Sequence, residues 1–203
     1  MIQRGELLLA SQSAARAVLL RAAGLVFEAR PARVDEAAVK QAGLAEGGAV
    51  DQVALALAGL KAARVGLSQG MEGAMVIGAD QMLECEGQWF DKPADVDRAR
   101  EQLLALRGRT HELVTAVVCM RDGQEVWRHV ARPRLVMRSF SEAFLAEYLA
   151  LEGDRVTESV GGYRIEGPGI QLFDRVEGEI SAIMGLPLQA LLGFLRQAGV
   201  LLG

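Results

Sequence analysis

The chain has 203 residues, a formal net charge of −4, and a hydrophobic content of 51% in which aromatic residues are few. An acidic chain is a poor general partner for duplex nucleic acid, because binding to a phosphate backbone favours a basic face. Its longest apolar runs, such as residues 186–195, are far shorter than the roughly 20 residues that span a bilayer, and its first residues lack the apolar core of a signal peptide. We therefore expect a cytoplasmic protein with no membrane segment.

The first half of the chain alternates between strand and helix patterns. A strand at residues 6–10 leads through a turn at residues 11–13 into a helix that ends at Gly24. A second strand is predicted at residues 26–30. The remaining elements of this half are a helix opened by Asp35 and Glu36, a long amphipathic helix at residues 50–65, and a buried strand at residues 75–80.

The second half contains a predicted hairpin and three further helices. Residues 112–120 and 125–137 form its two arms around Asp122-Gly123, a pair typical of a type I′ turn. The other elements are a helix from Asp95 to Gly108, a helix from Ser141 to residue 151, an irregular loop at residues 160–169, a strand at residues 170–173 and a terminal helix at residues 187–199. This pattern predicts one α/β domain over residues 1–203, with a mixed central sheet flanked by helices.

The segment from residue 7 to residue 16 is a candidate anion site. A strand that turns directly into a helix directs free N–H groups, the hydroxyls of Ser11 and Ser13, and the guanidinium of Arg16 towards one point. The alternative is that one of the two serines merely caps the helix. The segment is not a P-loop, since no Gly-Lys-Ser/Thr follows.

Asp80 is the strongest single candidate for chemistry. It ends an otherwise apolar predicted strand, where a carboxylate is costly unless it is paired or bound to metal. Ligands of α/β proteins commonly lie at the carboxyl ends of strands. The alternative is a capping or turn residue.

Three lysines and one glutamate complete the candidates. Lys61 lies late in the long helix, and Lys92 is held extended by Pro93, whereas Lys40 has no comparable setting. A compact ammonium suits polyphosphate oxygens, although a solvated surface lysine is the alternative for each. Glu36 is either a partner of the helix dipole or a second carboxylate that shares a divalent cation with Asp80.

Cysteine and histidine do not supply a metal site. The two cysteines and two histidines have no zinc-binding spacing. A metal would therefore be held by carboxylates, which favours Mg²⁺ or Mn²⁺.

Taken in order, these segments resemble the signatures of the Maf family of nucleoside triphosphate pyrophosphatases. The resemblance covers nearly the whole chain. The matching segments are Leu9-Ala-Ser-Gln-Ser-Ala-Ala-Arg16, Val34-Asp35-Glu36, Lys61-Ala62, Val76-Ile-Gly-Ala-Asp80, Lys92-Pro93, Gly108-Arg-Thr-His111, Tyr163-Arg-Ile-Glu-Gly167 and Gly185-Leu-Pro187.

The resemblance implies two lobes with a cleft between them, as in inosine triphosphatases, and often a homodimer. It implies cleavage between the α and β phosphates of a nucleoside triphosphate, which clears modified nucleotides. Asp80 would be the general base, and Glu36 with Asp80 would hold the divalent metal. The phosphates would be bound by Ser11, Ser13, Arg16, Lys61 and Lys92.

Three positions bear on specificity. Gln81 and Glu166 resemble the branch that takes 7-methyl-GTP. A carboxylate near a cationic methylated purine would be favourable, and near a carbonyl-rich pyrimidine edge it would not. Ala15 departs from that branch, which often has an aromatic residue there, and Ala14-Ala15 replaces the family's Pro-Arg. The alternative function is a nucleotide-binding regulator of septum formation with weak or no catalysis.

Overall fold

The computed structural model describes residues 2–67 and 72–203. The chain divides into two compact units. Unit 1 consists of Met1–Asp80, Thr115–Ala131 and Gly185–Gly203, and unit 2 of Gln81–Val114 and Arg132–Met184. The single domain expected over the whole chain stays a prediction, as does a cleft between two lobes.

The described residues contain seven α-helices and eight strands. The helices are α1 (Ala14–Ala22), α2 (Glu36–Ala45), α3 (Val50–Gly66), α4 (Val96–Leu106), α5 (Glu142–Glu152), α6 (Ile180–Ile183) and α7 (Leu188–Gln197). The strands are β1 (Leu7–Leu9), β2 (Glu28–Ala29), β3 (Met75–Cys85), β4 (Gln88–Phe90), β5 (Thr110–Arg121), β6 (Gln124–Ala131), β7 (Arg134–Met137) and β8 (Phe173–Glu177). In the same part of the chain, no helix is long and apolar enough to cross a membrane.

The strands form a mixed sheet in the order β2-β1-β3-β5-β7-β8, with β4 beside β3 and β6 beside β5. Strand β1 pairs in parallel with β2 and with β3, whereas β4, β6, β7 and β8 pair antiparallel. The predicted α/β class with a mixed central sheet is confirmed.

Helices cover both faces of the parallel strands in unit 1. Leu7, Leu9 and Ile77 pack against α1 and α7, whereas Leu8 and Val76 pack against α3. Successive side chains of a strand point to opposite faces, so the unbroken apolar runs of β1 and β3 indicate a sheet buried on both sides.

Unit 2 has its own hydrophobic core. Side chains of α4 and α5 pack against strands β5 and β7 and against the irregular segment that includes Tyr163 and Ile165. The N-caps predicted for these two helices are confirmed. Asp95 accepts from the Arg98 N–H, and Ser141 accepts from the Phe144 N–H.

Strand β3 is longer than predicted. It continues past Asp80 to Cys85, because an unpredicted strand, β4, pairs with its second half through a turn at Glu86-Gly87. The prediction that Asp80 ends the strand was therefore wrong. The apolar side chains of Met82 and Leu83 are the signal that was missed.

The predicted turn of the hairpin is confirmed, whereas the predicted second arm is wrong. Asp122 and Gly123 both have positive φ, as a type I′ turn requires. The second arm divides into β6 and β7 around Pro133, which has no N–H to donate to a ladder.

Two further elements differ from the sequence prediction. The strand expected at residues 170–173 is wrong, because Pro168–Leu172 forms a 3₁₀ helix and the strand begins at Phe173. Pro168 suits the first turn of such a helix, since its fixed φ is helical. Helix α6 has only four residues, too few for a periodic pattern, and was not predicted.

Gly78 sets how closely α3 approaches β3. A Cβ atom added there would lie 2.1 Å from the Ala58 carbonyl oxygen and 2.8 Å from the Ala62 nitrogen. Both are backbone atoms of α3, so a larger residue would push the helix away from the sheet.

We expect Gly78→Ala to lower the free energy of unfolding by about 2–4 kcal/mol, because the methyl group collides with helix backbone. Gly59→Ala is the matched control. Gly59 lies in α3 with nothing within 4 Å of an added Cβ, so Ala there should stabilise by up to about 1 kcal/mol. Denaturant titration measures both, and equal stabilities would contradict the close packing at Gly78.

His111 is a buried titratable group of unit 2. Its Nε2 lies 2.7 Å from the Tyr163 hydroxyl, while Nδ1 has no hydrogen-bond partner among the described residues. Burial lowers the pKa of His111 to about 4.

The unfolded chain therefore takes up the His111 proton at a higher pH than the folded chain does. As pH falls from about 6.5 to 4, this difference should remove about 2–3 kcal/mol of stability. His111→Gln keeps an acceptor for Tyr163 but does not titrate, so its stability should fall less over this range. Denaturant titrations of the wild-type protein and of His111→Gln across this pH range measure the difference, and equal losses would contradict the assignment to His111.

Candidate active site

Asp80 lies just beyond the parallel part of the sheet. The pairing of β1 with β3 ends at Leu9 opposite Ile77, and the Ala10 N–H donates to the Ile77 carbonyl. Asp80 is three residues further along β3. Asp80 therefore lies at the carboxyl end of the parallel pair formed by β1 and β3, as expected, although β3 itself continues.

The Asp80 carboxylate is almost fully buried, with 4% of the residue exposed. Its Oδ1 accepts a hydrogen bond of 2.6 Å from Lys61 Nζ. Its Oδ2 is buried without a hydrogen-bond partner in the described part of the chain. Burial raises the pKa of Asp80, and the positive charges of Lys61 and Arg16 oppose that rise. One oxygen of Asp80 is thus paired with the Lys61 ammonium, and the other is available to a ligand.

Lys61 stands between two carboxylates. Its Nζ lies 2.6 Å from Asp80 Oδ1 and 2.6 Å from Glu36 Oε1. The residue is 8% exposed and belongs to the buried stripe of α3, otherwise formed by apolar residues such as Leu57 and Val65. A lysine in an apolar helical stripe is a sequence signal for a paired charge. The expectation of a solvated surface lysine is wrong for Lys61.

Glu36 reaches Lys61 from the start of α2. Asp35 is the N-cap of that helix and accepts from the Ala38 N–H at 3.0 Å. Glu36, the next residue, lies in the first turn and contacts Lys61. The two alternatives for Glu36, dipole partner and site carboxylate, are therefore compatible.

Arg16 is buried and anchored by the backbone. Its Nε donates to the Gly185 carbonyl at 2.7 Å, and its Nη1 donates to the Ala79 carbonyl at 2.9 Å and to Ser11 Oγ at 3.2 Å. No hydrogen bond runs from Nη2 to another described residue. Burial lowers the pKa of Arg16, and the charges of Asp80 and Glu36 oppose this. The guanidinium keeps its charge because the ordinary pKa of arginine is so high.

The two serines have different roles. Ser13 is the N-cap of α1, and its hydroxyl accepts from the Arg16 N–H at 3.4 Å. Ser11 accepts from Arg16 Nη1 and from the Ser13 N–H. The capping alternative is correct for Ser13, whereas Ser11 supports the guanidinium. Ala15 lies half-buried in the first turn of α1.

Two glycines whose positioning roles the sequence prediction missed lie beside the candidate site residues. Gly78 permits the approach of α3 that carries Lys61. Gly185 has a φ of +97°, and a Cβ atom there would lie 3.2 Å from Arg16 Nε. A lone glycine within an apolar strand is the sequence signal for Gly78. Gly185 has no such signal beyond its place in the Gly185-Leu-Pro187 motif.

Gln81, Lys92 and Glu166 belong to unit 2. Gln81 Nε2 donates to the Ala182 and Ile183 carbonyls, both at 3.0 Å, and so holds the end of α6. Lys92 is exposed after β4. Glu166 is exposed in a turn closed by a 3.2 Å hydrogen bond from the Gly167 N–H to the Arg164 carbonyl. Their convergence with the residues of unit 1 stays a prediction.

The carboxylates of Glu36 and Asp80 fit a hard divalent cation. The unpartnered Oδ2 of Asp80 is an available oxygen ligand. Residues 2–67 and 72–203 contain no group of three or more His, Cys, Asp or Glu residues that could hold a metal ion. Mg²⁺ is commonly bound through one or two carboxylates with the remaining ligands from water and phosphate, which agrees with this pair.

Comparison with known proteins agrees with the motifs. A protein of Granulibacter bethesdensis named nucleoside triphosphate pyrophosphatase is 55% identical over 95% of this chain and 96% of its own. A Mesorhizobium japonicum protein named 7-methyl-GTP pyrophosphatase is 46% identical over 98% of each chain. A solved structure, a nucleoside-triphosphatase / dITP/XTP pyrophosphatase from Mycobacterium abscessus, covers 96% of this chain and 95% of its own with a TM-score of 0.44 and 16% identity.

The family match covers nearly all of the chain. Residues 6–198 match the family described as Maf-like protein. The chain therefore belongs to the Maf family.

Proposed function

We propose that this chain hydrolyses a nucleoside triphosphate between its α and β phosphates and releases a nucleoside monophosphate and pyrophosphate. The observation that carries the proposal is Asp80, a buried carboxylate with one oxygen bonded to Lys61 and the other without a hydrogen-bond partner among the described residues. The names of the related proteins support the same reaction.

Asp80 is the proposed general base. Its Oδ2, which has no hydrogen-bond partner in the described part of the chain, accepts the proton of the attacking water. A carboxyl group whose pKa burial has raised is a better proton acceptor than a solvated one. The proton moves to Asp80 as the water oxygen bonds to phosphorus, and the bond to the leaving pyrophosphate breaks.

Positive charge stabilises the phosphates and the leaving group. Arg16 is fixed in position by Gly185, Ala79 and Ser11, which leaves Nη2 to donate to a phosphate oxygen. Such preorganised donors need no rearrangement as charge develops. Lys61 and, from unit 2, Lys92 are proposed as further phosphate ligands.

Glu36 and Asp80 would hold the divalent cation, Mg²⁺ or Mn²⁺. When bound, such a cation polarises phosphoryl oxygens and neutralises the charge of the triphosphate. The metal, the homodimer and the cytoplasmic location stay predictions.

The proposed preferred substrate is 7-methyl-GTP. Glu166 supports this because it is an exposed carboxylate suited to a cationic base, and two relatives at 46% and 43% identity are named 7-methyl-GTP pyrophosphatase. Ala15 offers no ring for stacking, so the charge of Glu166 would carry more of the discrimination.

The reaction is tested with Asp80→Asn. Purified wild-type protein with Mg²⁺ or Mn²⁺ should release pyrophosphate from at least one of 7-methyl-GTP, UTP and dTTP. Asp80→Asn should lower kcat by at least about a hundredfold, because the amide cannot accept the proton. Asp174→Asn, an exposed position in β8, should leave kcat unchanged.

Thermal unfolding of Asp80→Asn shows whether the loss is structural. Nucleotide binding by the wild-type protein without pyrophosphate release would contradict the enzyme proposal and favour the septum-formation regulator.

The substrate preference is tested with Glu166→Gln. The change should lower kcat/KM for 7-methyl-GTP by roughly tenfold, about 1.4 kcal/mol, because it removes the charge that faces the methylated base. The kcat/KM of the same variant for UTP and for dTTP should not fall. Glu147→Gln, an exposed position in α5, is the control. An equal loss with all three substrates would remove Glu166 from base selection.

A further inference from the structure

Lys61 occupies the space between the two carboxylates that are proposed to hold the cation. Its Nζ is 2.6 Å from one oxygen of each, Glu36 Oε1 and Asp80 Oδ1. Both distances are short enough for a charge-assisted hydrogen bond. A divalent cation shared by these two carboxylates would lie close to the Lys61 ammonium and repel it.

We propose that the Lys61 ammonium is a removable counter-ion that couples cation binding to nucleotide binding. In the free protein it neutralises Glu36 and Asp80 and opposes entry of a divalent cation. When cation and nucleotide bind together, the ammonium leaves the carboxylates for a phosphate oxygen. The proposal rests on the proposed function, and it adds that cation binding without nucleotide is weak.

The charges of the site favour this coupling. With both carboxylates ionised, the two negative charges of Glu36 and Asp80 balance the two positive charges of Lys61 and Arg16, so the site is neutral before anything binds. A divalent cation alone would leave two uncompensated positive charges beside a buried carboxylate, which is costly. A triphosphate supplies the missing negative charge.

Lys61 can move, whereas Arg16 cannot. Arg16 is fixed by three hydrogen bonds, two of them to backbone carbonyls. Among residues 2–67 and 72–203, the polar partners of Lys61 are the two carboxylates, which it contacts from the end of a flexible four-carbon stem. The site therefore combines one stationary and one mobile positive charge.

The test is Mn²⁺ binding to nucleotide-free protein, measured by electron paramagnetic resonance of free Mn²⁺ and by calorimetry. Lys61→Met should bind Mn²⁺ at least about fivefold more tightly than wild type, because the competing ammonium is gone. Arg64→Met is the matched control. It removes one positive charge from an exposed position of the same helix and should bind Mn²⁺ like wild type.

An unchanged Mn²⁺ affinity in folded Lys61→Met would overturn the proposal, as would an equal gain in Arg64→Met. Pyrophosphate release by the wild-type protein, measured in parallel, shows that the proposed function stands when only the coupling fails.

A measurement on the wild-type protein covers the case in which Lys61→Met does not fold. The chain has only three lysines, so the ammonium signals of ¹⁵N-lysine-labelled protein can be followed separately by NMR. The Lys61 signal should shift little with Mg²⁺ alone and strongly with Mg²⁺ and pyrophosphate together. A Lys61 signal that the combination leaves unchanged would overturn the proposal.

Discussion

The close approach of α3 to β3 at Gly78 is the constraint on which the candidate site depends. Without a side chain at Gly78, the backbone of α3 near Ala58 and Ala62 can lie directly against the strand. Lys61 is one residue from that contact, and Asp80 is two residues from Gly78 on the strand. The buried ion pair between Lys61 and Asp80 follows from this packing, and through it the contact with Glu36.

Burying these charges is costly, and the surrounding fold compensates for part of the cost. Asp80 is paired with Lys61, and Arg16 is satisfied by two carbonyls and one hydroxyl. Within residues 2–67 and 72–203, Asp80 Oδ2 remains without a hydrogen-bond partner. An unsatisfied buried oxygen lowers stability, so its presence beside paired charges points to a ligand rather than to a purely structural role.

The sequence was sufficient for the elements with strong local signals. Asp95 and Ser141 act as the N-caps expected of them, and Asp122-Gly123 forms the expected turn. Those signals are local, because each depends on hydrogen bonds within a few residues. The predicted end of β3 was wrong because the true end depends on pairing with β4, which is not a local signal in β3.

The residues of the candidate site could be predicted from the sequence, but the contacts between them could not. Motifs identified Arg16, Glu36, Lys61 and Asp80 as a set, yet they assigned Arg16 and Lys61 the same task of binding phosphate. The difference between them depends on tertiary contacts. The partners of Arg16 include the Gly185 carbonyl, which is 169 residues away in the chain. No local pattern gives such a contact.

This difference between Arg16 and Lys61 determines how the site can respond to a ligand. A guanidinium fixed on backbone carbonyls gives a constant positive field, which favours an anion in the same position in every state of the site. The Lys61 ammonium, whose partners in the described part of the chain are two carboxylates, can exchange them for others of the same charge, since neither partner is part of the backbone. Arginine and lysine are therefore not interchangeable here. A site with two fixed cations would bind polyphosphate without any response at the carboxylates, whereas one fixed and one mobile cation link the anion to the carboxylate pair.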